Sequence, residues 1–286
     1  MLRLVFLLAM WLPLCSLFNN AFAAPQRIVS TAPSITEILF ALGLGDQVAG
    51  VTRFCRFPPQ ALTKPKIGDY INPNLEAIAA LRPDLVIIQT NPVRMAERLH
   101  ALHLKTLEVN QESIEAVYSS INEIARETSV PERGVKLAGE IRARLDAIYQ
   151  RSRRQTPARV MFVVGRAPKR LDGLIVAGKA SYLSDLISLT GGQNIFADAL
   201  AAYPEVSLEA VLARNPDVIV DFGDMGDATA SQDATLWMRS PATKILKAVR
   251  EHHVYTVASD VFVIPGPRVV EAAQSLFNML HAERAP

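Results

Sequence analysis

Two stretches of this chain repeat each other. The segment Leu75–Ile87 recurs 133 residues later as Leu208–Val220, with six identities in thirteen positions that include Leu-Glu-Ala at the start and Pro-Asp near the end. Each copy reads as a short helix, a Pro-Asp turn and an apolar strand. A fainter match sets Ile35-Thr36-Glu37-Ile38-Leu39 and Gly43 against Leu183-Ser184-Asp185-Leu186-Ile187 and Gly191. Two copies so far apart are too few for a solenoid, so they point to two similar units in one chain.

The rest of the sequence supports that division. Apolar runs at 27–29, 47–51, 85–88 and 106–109 read as strands with helical segments between them, and runs at 160–164, 217–220 and 254–257 form a second series. Such alternation belongs to α/β layers. Between the two series, Pro131 is placed to start a helix and Pro157 to stop one. Val135, Ala138, Ile141, Leu145 and Ile148 recur every three or four residues, which makes one face of that helix apolar. The expected architecture is therefore two similar α/β lobes with central sheets, residues 24–130 and 157–286, joined by a single long bridging helix at 131–156, with a ligand cleft between the lobes.

Residues 1–23 read as a secretory signal peptide: a basic start at Arg3, an apolar run from Leu4 to Leu14, and Ala21-Phe22-Ala23 as the cleavage site. The run carries Pro13 and is shorter than the ~20 apolar residues that span a bilayer, which argues against an anchor helix. Cys15 raises lipid modification as an alternative, but bulky Leu14 precedes it where a small residue is expected. Cleavage would leave Cys55 as the one cysteine, so stability would come from the core and not from a disulfide. The expected destination is the periplasm. The 286 residues hold 30 Lys+Arg against 28 Asp+Glu, and without basic runs they carry no electrostatic footprint for nucleic acid.

No nucleophile elbow, zinc-protease helix or dinucleotide fingerprint occurs in the sequence. Gly173 to Lys179 imitates a phosphate-binding loop, but Ala180 stands where a hydroxyl must hold magnesium, so a tight turn is expected there. His100 and His103 fall three apart on an expected helix without acidic or cysteine ligands nearby, which favours solvated histidines over a metal site. Catalytic and metal residues are accordingly expected to be absent. What stands out is aromatic placement at strand ends: Phe54 and Phe57 around Cys55, Tyr70 after Asp69, Tyr203 before Pro204, and Phe262 after Asp260. Facing one another across two lobes, they would suit a flat apolar ligand. The repeat also places Glu76 and Glu209 at the second position of their helices behind the N-caps Asn74 and Ser207. Helix-dipole stabilisation of about 0.3–1 kcal/mol explains an acidic residue there, and presentation of one charge per lobe to a basic partner is the alternative.

Several of these segments together resemble the substrate-binding proteins of ABC importers for cobalamin, haem and iron-siderophores: Arg27-Ile28-Val29-Ser30 through Glu37, Phe57-Pro58-Pro59, Asn74-Leu75-Glu76 through Val86, Gly191-Gly192-Gln193-Asn194-Ile195-Phe196, and Ser259-Asp260 through Pro267-Arg268. The resemblance spans the mature chain and is nearest to the cobalamin-binding members. It implies a monomeric receptor, not an enzyme and without an intrinsic cofactor, that captures a corrinoid, or alternatively haem or a ferric siderophore, and delivers it to a permease and its ATPase. It implies that Glu76 and Glu209 dock each lobe on the permease and that Phe54, Cys55, Tyr70, Tyr203, Asp260 and Phe262 meet the ligand. Tryptophans typical of cobalamin binders are replaced here by Tyr70 and Tyr203, and the remaining Trp237 lies outside the motifs. The competing class is an exported α/β enzyme with Asp69 and Asp260 as acid and base.

Overall fold

Both copies of the repeat close on the same side-chain lock. In the computed structural model, which describes residues 24–69, 72–90, 94–223, 235–257 and 259–282, Asp84 accepts from the backbone N–H groups of Gln26 and Arg27 at 2.8 and 3.1 Å. The Arg27 guanidinium donates to the Leu81 carbonyl at 3.0 and 2.6 Å. In the second copy Asp217 accepts from the Arg159 N–H at 2.8 Å, and Arg159 donates to the Arg214 carbonyl at 2.5 Å. Each helix is ended by a left-handed residue just before the proline, Arg82 at φ 46° and Asn215 at φ 42°. A left-handed residue frees the last carbonyls for such partners, and the proline forbids a further helical turn.

The first lobe contains β1 (Ile28–Ser30), α1 (Pro33–Ala41), β2 (Val48–Val51), α2 (Leu75–Ala80), β3 (Leu85–Gln89), α3 (Met95–His100), β4 (Thr106–Val109) and α4 (Ile114–Glu127). Its four described strands pair in the order β2-β1-β3-β4, all parallel. Strands buried on both faces must be apolar throughout, as Leu85 to Ile88 are.

The bridging helix α5 (Pro131–Ser152) is 22 residues long, about 33 Å. It ends at Ser152, four residues short of the expected 156. Its buried face is Gly134, Ala138, Ile141, Leu145, Ile148 and Ser152. Val135, expected on that face, is 68% exposed. Glycine takes the place because a Cβ on Gly134 would come within 2.4 Å of the Ala125 Cβ of α4. A hydropathy pattern cannot register a buried contact made by backbone.

The second lobe contains β5 (Ala158–Gly165), β6 (Leu174–Val176), α6 (Tyr182–Leu189), β7 (Gly192–Asn194), β8 (Glu205–Val206), α7 (Leu208–Arg214), β9 (Val218–Asp221), α8 (Thr235–Arg239), α9 (Lys247–Arg250), β10 (Val254–Thr256) and α10 (Val269–His281). Its sheet runs β10-β9-β5-β6-β8, with β7 also on β5. Strands β10, β9, β5 and β7 are parallel, and β6 runs antiparallel to β5 and β8. Within the phosphate-loop imitation at 173–179, Leu174–Val176 form strand β6 between a left-handed Gly173 and a turn that opens at Lys179. One buried apolar cluster takes in Ile28 and Ile87 of the first lobe, Ile141 and Leu145 of α5, and Phe162 and Leu276 of the second. No described helix is long and apolar enough to cross a membrane.

Candidate functional site at the junction of the lobes

Pro33 starts α1 directly after β1, which sets Glu37 one turn into the helix and against the other lobe. Arg268, just before α10, reaches across to it. Its Nε lies 3.1 Å from both Glu37 carboxylate oxygens and its Nη2 lies 2.5 Å from Oε1. The same Nη2 donates to Asp260 Oδ1 at 3.0 Å. The guanidinium carbon lies 4.4 Å from the centre of the Phe57 ring, within the range of a cation–π contact. A second link joins the lobes where Asp185 of α6 accepts from the Ile114 N–H at 3.1 Å.

Burial governs the electrostatics. Glu37 is 3% exposed, and that desolvation lifts its carboxyl above the ordinary glutamate range despite the hydrogen bonds and charge of Arg268. Burial works against the charge on Arg268 too, but Glu37 and Asp260 outweigh it and hold the guanidinium protonated beyond its usual range. Tyr182, at the start of α6, is 2% exposed and its hydroxyl has no hydrogen-bond partner. Burial, with Tyr203 and Glu37 adding and Arg268 opposing, pushes that phenol well up. A buried donor left unpaired is costly.

Several expected site residues do meet the surface. Phe54, Phe57 and Tyr203 are 43%, 43% and 47% exposed. Arg53 lies over the Phe54 ring at 4.9 Å and reaches Asp69 at 3.4 Å. Asp260 remains partly exposed beside Arg268, and Tyr70 lies outside the described residues. Two expectations are corrected. Cys55 is fully buried, with its sulfur accepting from Thr36 Oγ1 at 3.1 Å and lying 3.2 Å from Thr52 Oγ1, so it offers nothing to a ligand. Phe262 is 1% exposed and packs on Phe162 with ring centres 5.6 Å apart, which makes it a core residue.

Of the two carboxylates considered as an acid–base pair, Asp69 is engaged by Arg53 and by the Asn72 N–H, and Asp260 by Arg268. His100 ends α3 and bonds Thr106 at 2.7 Å, while His103 adopts φ 57° beyond the helix. No group of metal-ligating side chains occurs among the described residues. Sequence reasoning missed the Glu37–Arg268 pair altogether; both residues lay inside quoted motifs, but nothing local couples charges 231 positions apart.

Glu76 and Glu209 stand exposed at matching positions of α2 and α7. Asn74 caps α2 by accepting from Ala77 N–H at 3.0 Å, and Ser207 caps α7 from Ala210 N–H at 3.3 Å. Glu209 is held below the usual carboxylate range by its own backbone N–H and the Ser207 hydroxyl.

Two sheet-centred lobes, a rigid bridging helix and a charged junction flanked by exposed aromatics define a two-lobed binding protein. The profile of the periplasmic binding protein family matches residues 28–261, and the chain belongs to that family. It is 31% identical over 267 residues to a vitamin B12-binding protein of Vibrio cholerae, covering 93% of this chain and 92% of that one. A vitamin B12-binding protein of Photorhabdus laumondii is 30% identical over 276 residues, 96% of this chain and 94% of that one. Among solved structures, the periplasmic vitamin B12 binding protein of Vibrio cholerae superposes with a TM-score of 0.76 at 28% identity, over 91% of this chain and 98% of that one. The periplasmic haem-binding protein RhuT from Roseiflexus sp. RS-1, in apo form, superposes at 0.79 with 27% identity, over 91% and 99%.

Proposed function

We propose that this protein is a periplasmic receptor that captures a cobalamin-like corrinoid between its lobes and hands it to an ABC importer. The observation that carries the reading is near full-length similarity to vitamin B12-binding proteins combined with exposed aromatics, Phe57 and Tyr203, contributed by different lobes. Phe54, Phe57, Tyr70 and Tyr203 supply apolar surface to a flat ring, and Asp260 accepts from its polar substituents. Residues 1–23 serve as a cleaved export signal. Glu76 and Glu209, one per lobe, dock on basic residues of the permease.

The continuous core through α5 opposes hinge bending, so capture involves a small closure. The haem-binding neighbour favours haem as the second reading. Isothermal titration with cyanocobalamin, haemin and a ferric siderophore separates them: one equivalent of cyanocobalamin is expected, and binding of haemin alone would replace the ligand while keeping the receptor. For docking, Glu76→Lys with Glu209→Lys is expected to abolish transport and spare ligand affinity; normal transport would refute that role.

A further inference from the structure

We propose that the Glu37–Arg268–Asp260 cluster selects ligand charge, favouring an amide-bearing neutral chelate over one bearing carboxylates. The inference rests on the corrinoid reading and narrows it to the chemistry of the ring's side chains.

The one cation of the cluster is shared between two carboxylates. Arg268 gives Nε and Nη2 to Glu37 and Asp260, and its face lies over Phe57. Asp260 alone would balance it, so Glu37 makes the cluster carboxylate-rich. Glu37 is buried, whereas the Asp260 side chain is 39% exposed. Asp260 Oδ1 faces Arg268, so Oδ2 is the oxygen left to accept from a ligand N–H. The buried Tyr182 hydroxyl, which feels the charges of Glu37 and Arg268, has no hydrogen-bond partner. A primary amide donates to Asp260 without bringing charge. A ligand carboxylate in the same place meets two carboxylates that share one guanidinium, in partly desolvated surroundings where like charges repel more strongly than in water.

The test holds the ring constant and changes one charge. Cyanocobalamin and its monocarboxylate forms, each with one side-chain amide hydrolysed to the acid, are titrated into the wild-type protein at low and high salt. At least one acid form is expected to bind about tenfold more weakly than the amide, equivalent to about 1.4 kcal/mol, with the gap shrinking as salt rises. In Asp260→Asn that gap is expected to fall below about threefold. Acid and amide forms that bind the wild type within about twofold of each other would overturn the inference and leave the corrinoid reading standing. A gap unchanged in both Asp260→Asn and Glu37→Gln would also overturn it. Failure of the wild type to bind cyanocobalamin at all would remove the ligand reading and this inference with it.

Discussion

Replacing Arg268 by alanine strands a buried carboxylate, and the size of the effect follows from how Glu37 escapes. With its partner gone, Glu37 at 3% exposure cannot stay ionised cheaply and takes up a proton instead. At pH 7, two and a half units above 4.5, the ordinary glutamate value, protonation at about 1.4 kcal/mol per unit sets a ceiling of about 3.4 kcal/mol. Because burial already lifts Glu37 in the wild type, part of that penalty is present before the substitution, and the charge contribution falls short of the ceiling. Lost stacking on Phe57 adds about 0.5–1 kcal/mol that does not depend on pH. The expected loss in urea unfolding is therefore about 2–3 kcal/mol at pH 7.

The sign of the pH dependence is fixed by the direction of the shift. A glutamate whose folded pKa is raised is at its least costly below its unfolded value, and stability is lost as pH climbs through the folded one. Removing Arg268 raises that folded value further. The destabilisation should consequently shrink to about 1 kcal/mol at pH 5 and widen toward pH 7. Adding Glu37→Gln should recover most of the loss at pH 7. A loss of the same size at both pH values, or no recovery with glutamine, would refute the claim that an unpaired buried charge is responsible.

Three further perturbations follow. Gly134→Ala would gain about 1 kcal/mol in an open helix but here meets Ala125, so a net loss of about 1–2 kcal/mol is expected from overpacking; a raised Tm would contradict the close crossing of α4 and α5. Tyr182→Phe removes a hydroxyl without a partner and is expected to leave stability unchanged or raise it by up to about 1 kcal/mol, whereas a clear loss in chemical denaturation would mean that the hydroxyl is bonded. Cys55 should resist a thiol reagent in the native protein and react fully in denaturant, given its burial; rapid labelling of the folded protein would reverse its reassignment to the core.

Local chemistry made the fold legible. The Pro-Asp turns stop helices and start strands wherever they occur, so the repeat announced two like units, and the apolar runs placed β1 to β5, β9 and β10 within a few residues. Strands β7 and β8 read Gly-Gln-Asn and Glu-Val and offer no apolar run, and the apolar β6 sits inside the phosphate-loop imitation. Gly134 and Val135 exchanged roles because the helix crossing uses backbone, which a hydropathy pattern does not record. The site was legible only in outline. Phe54 and Tyr203 could be read from their places after strands and before helices, but so could Cys55 and Phe262. Burial alone separates the two pairs, and it depends in part on Thr36 for Cys55 and on Phe162 for Phe262, partners that lie far away in sequence. The ion pair that joins the lobes leaves no local signature.

The central claim is that a corrinoid sits at the junction of the two lobes, and a crystal structure of the protein grown with cyanocobalamin tests it most directly. The account predicts one ligand with Phe57 and Tyr203 each within about 4.5 Å of it and a side-chain amide on Asp260. A corrinoid bound to one lobe only, away from Arg268 and Tyr203, or a junction left empty at saturating ligand, would contradict it.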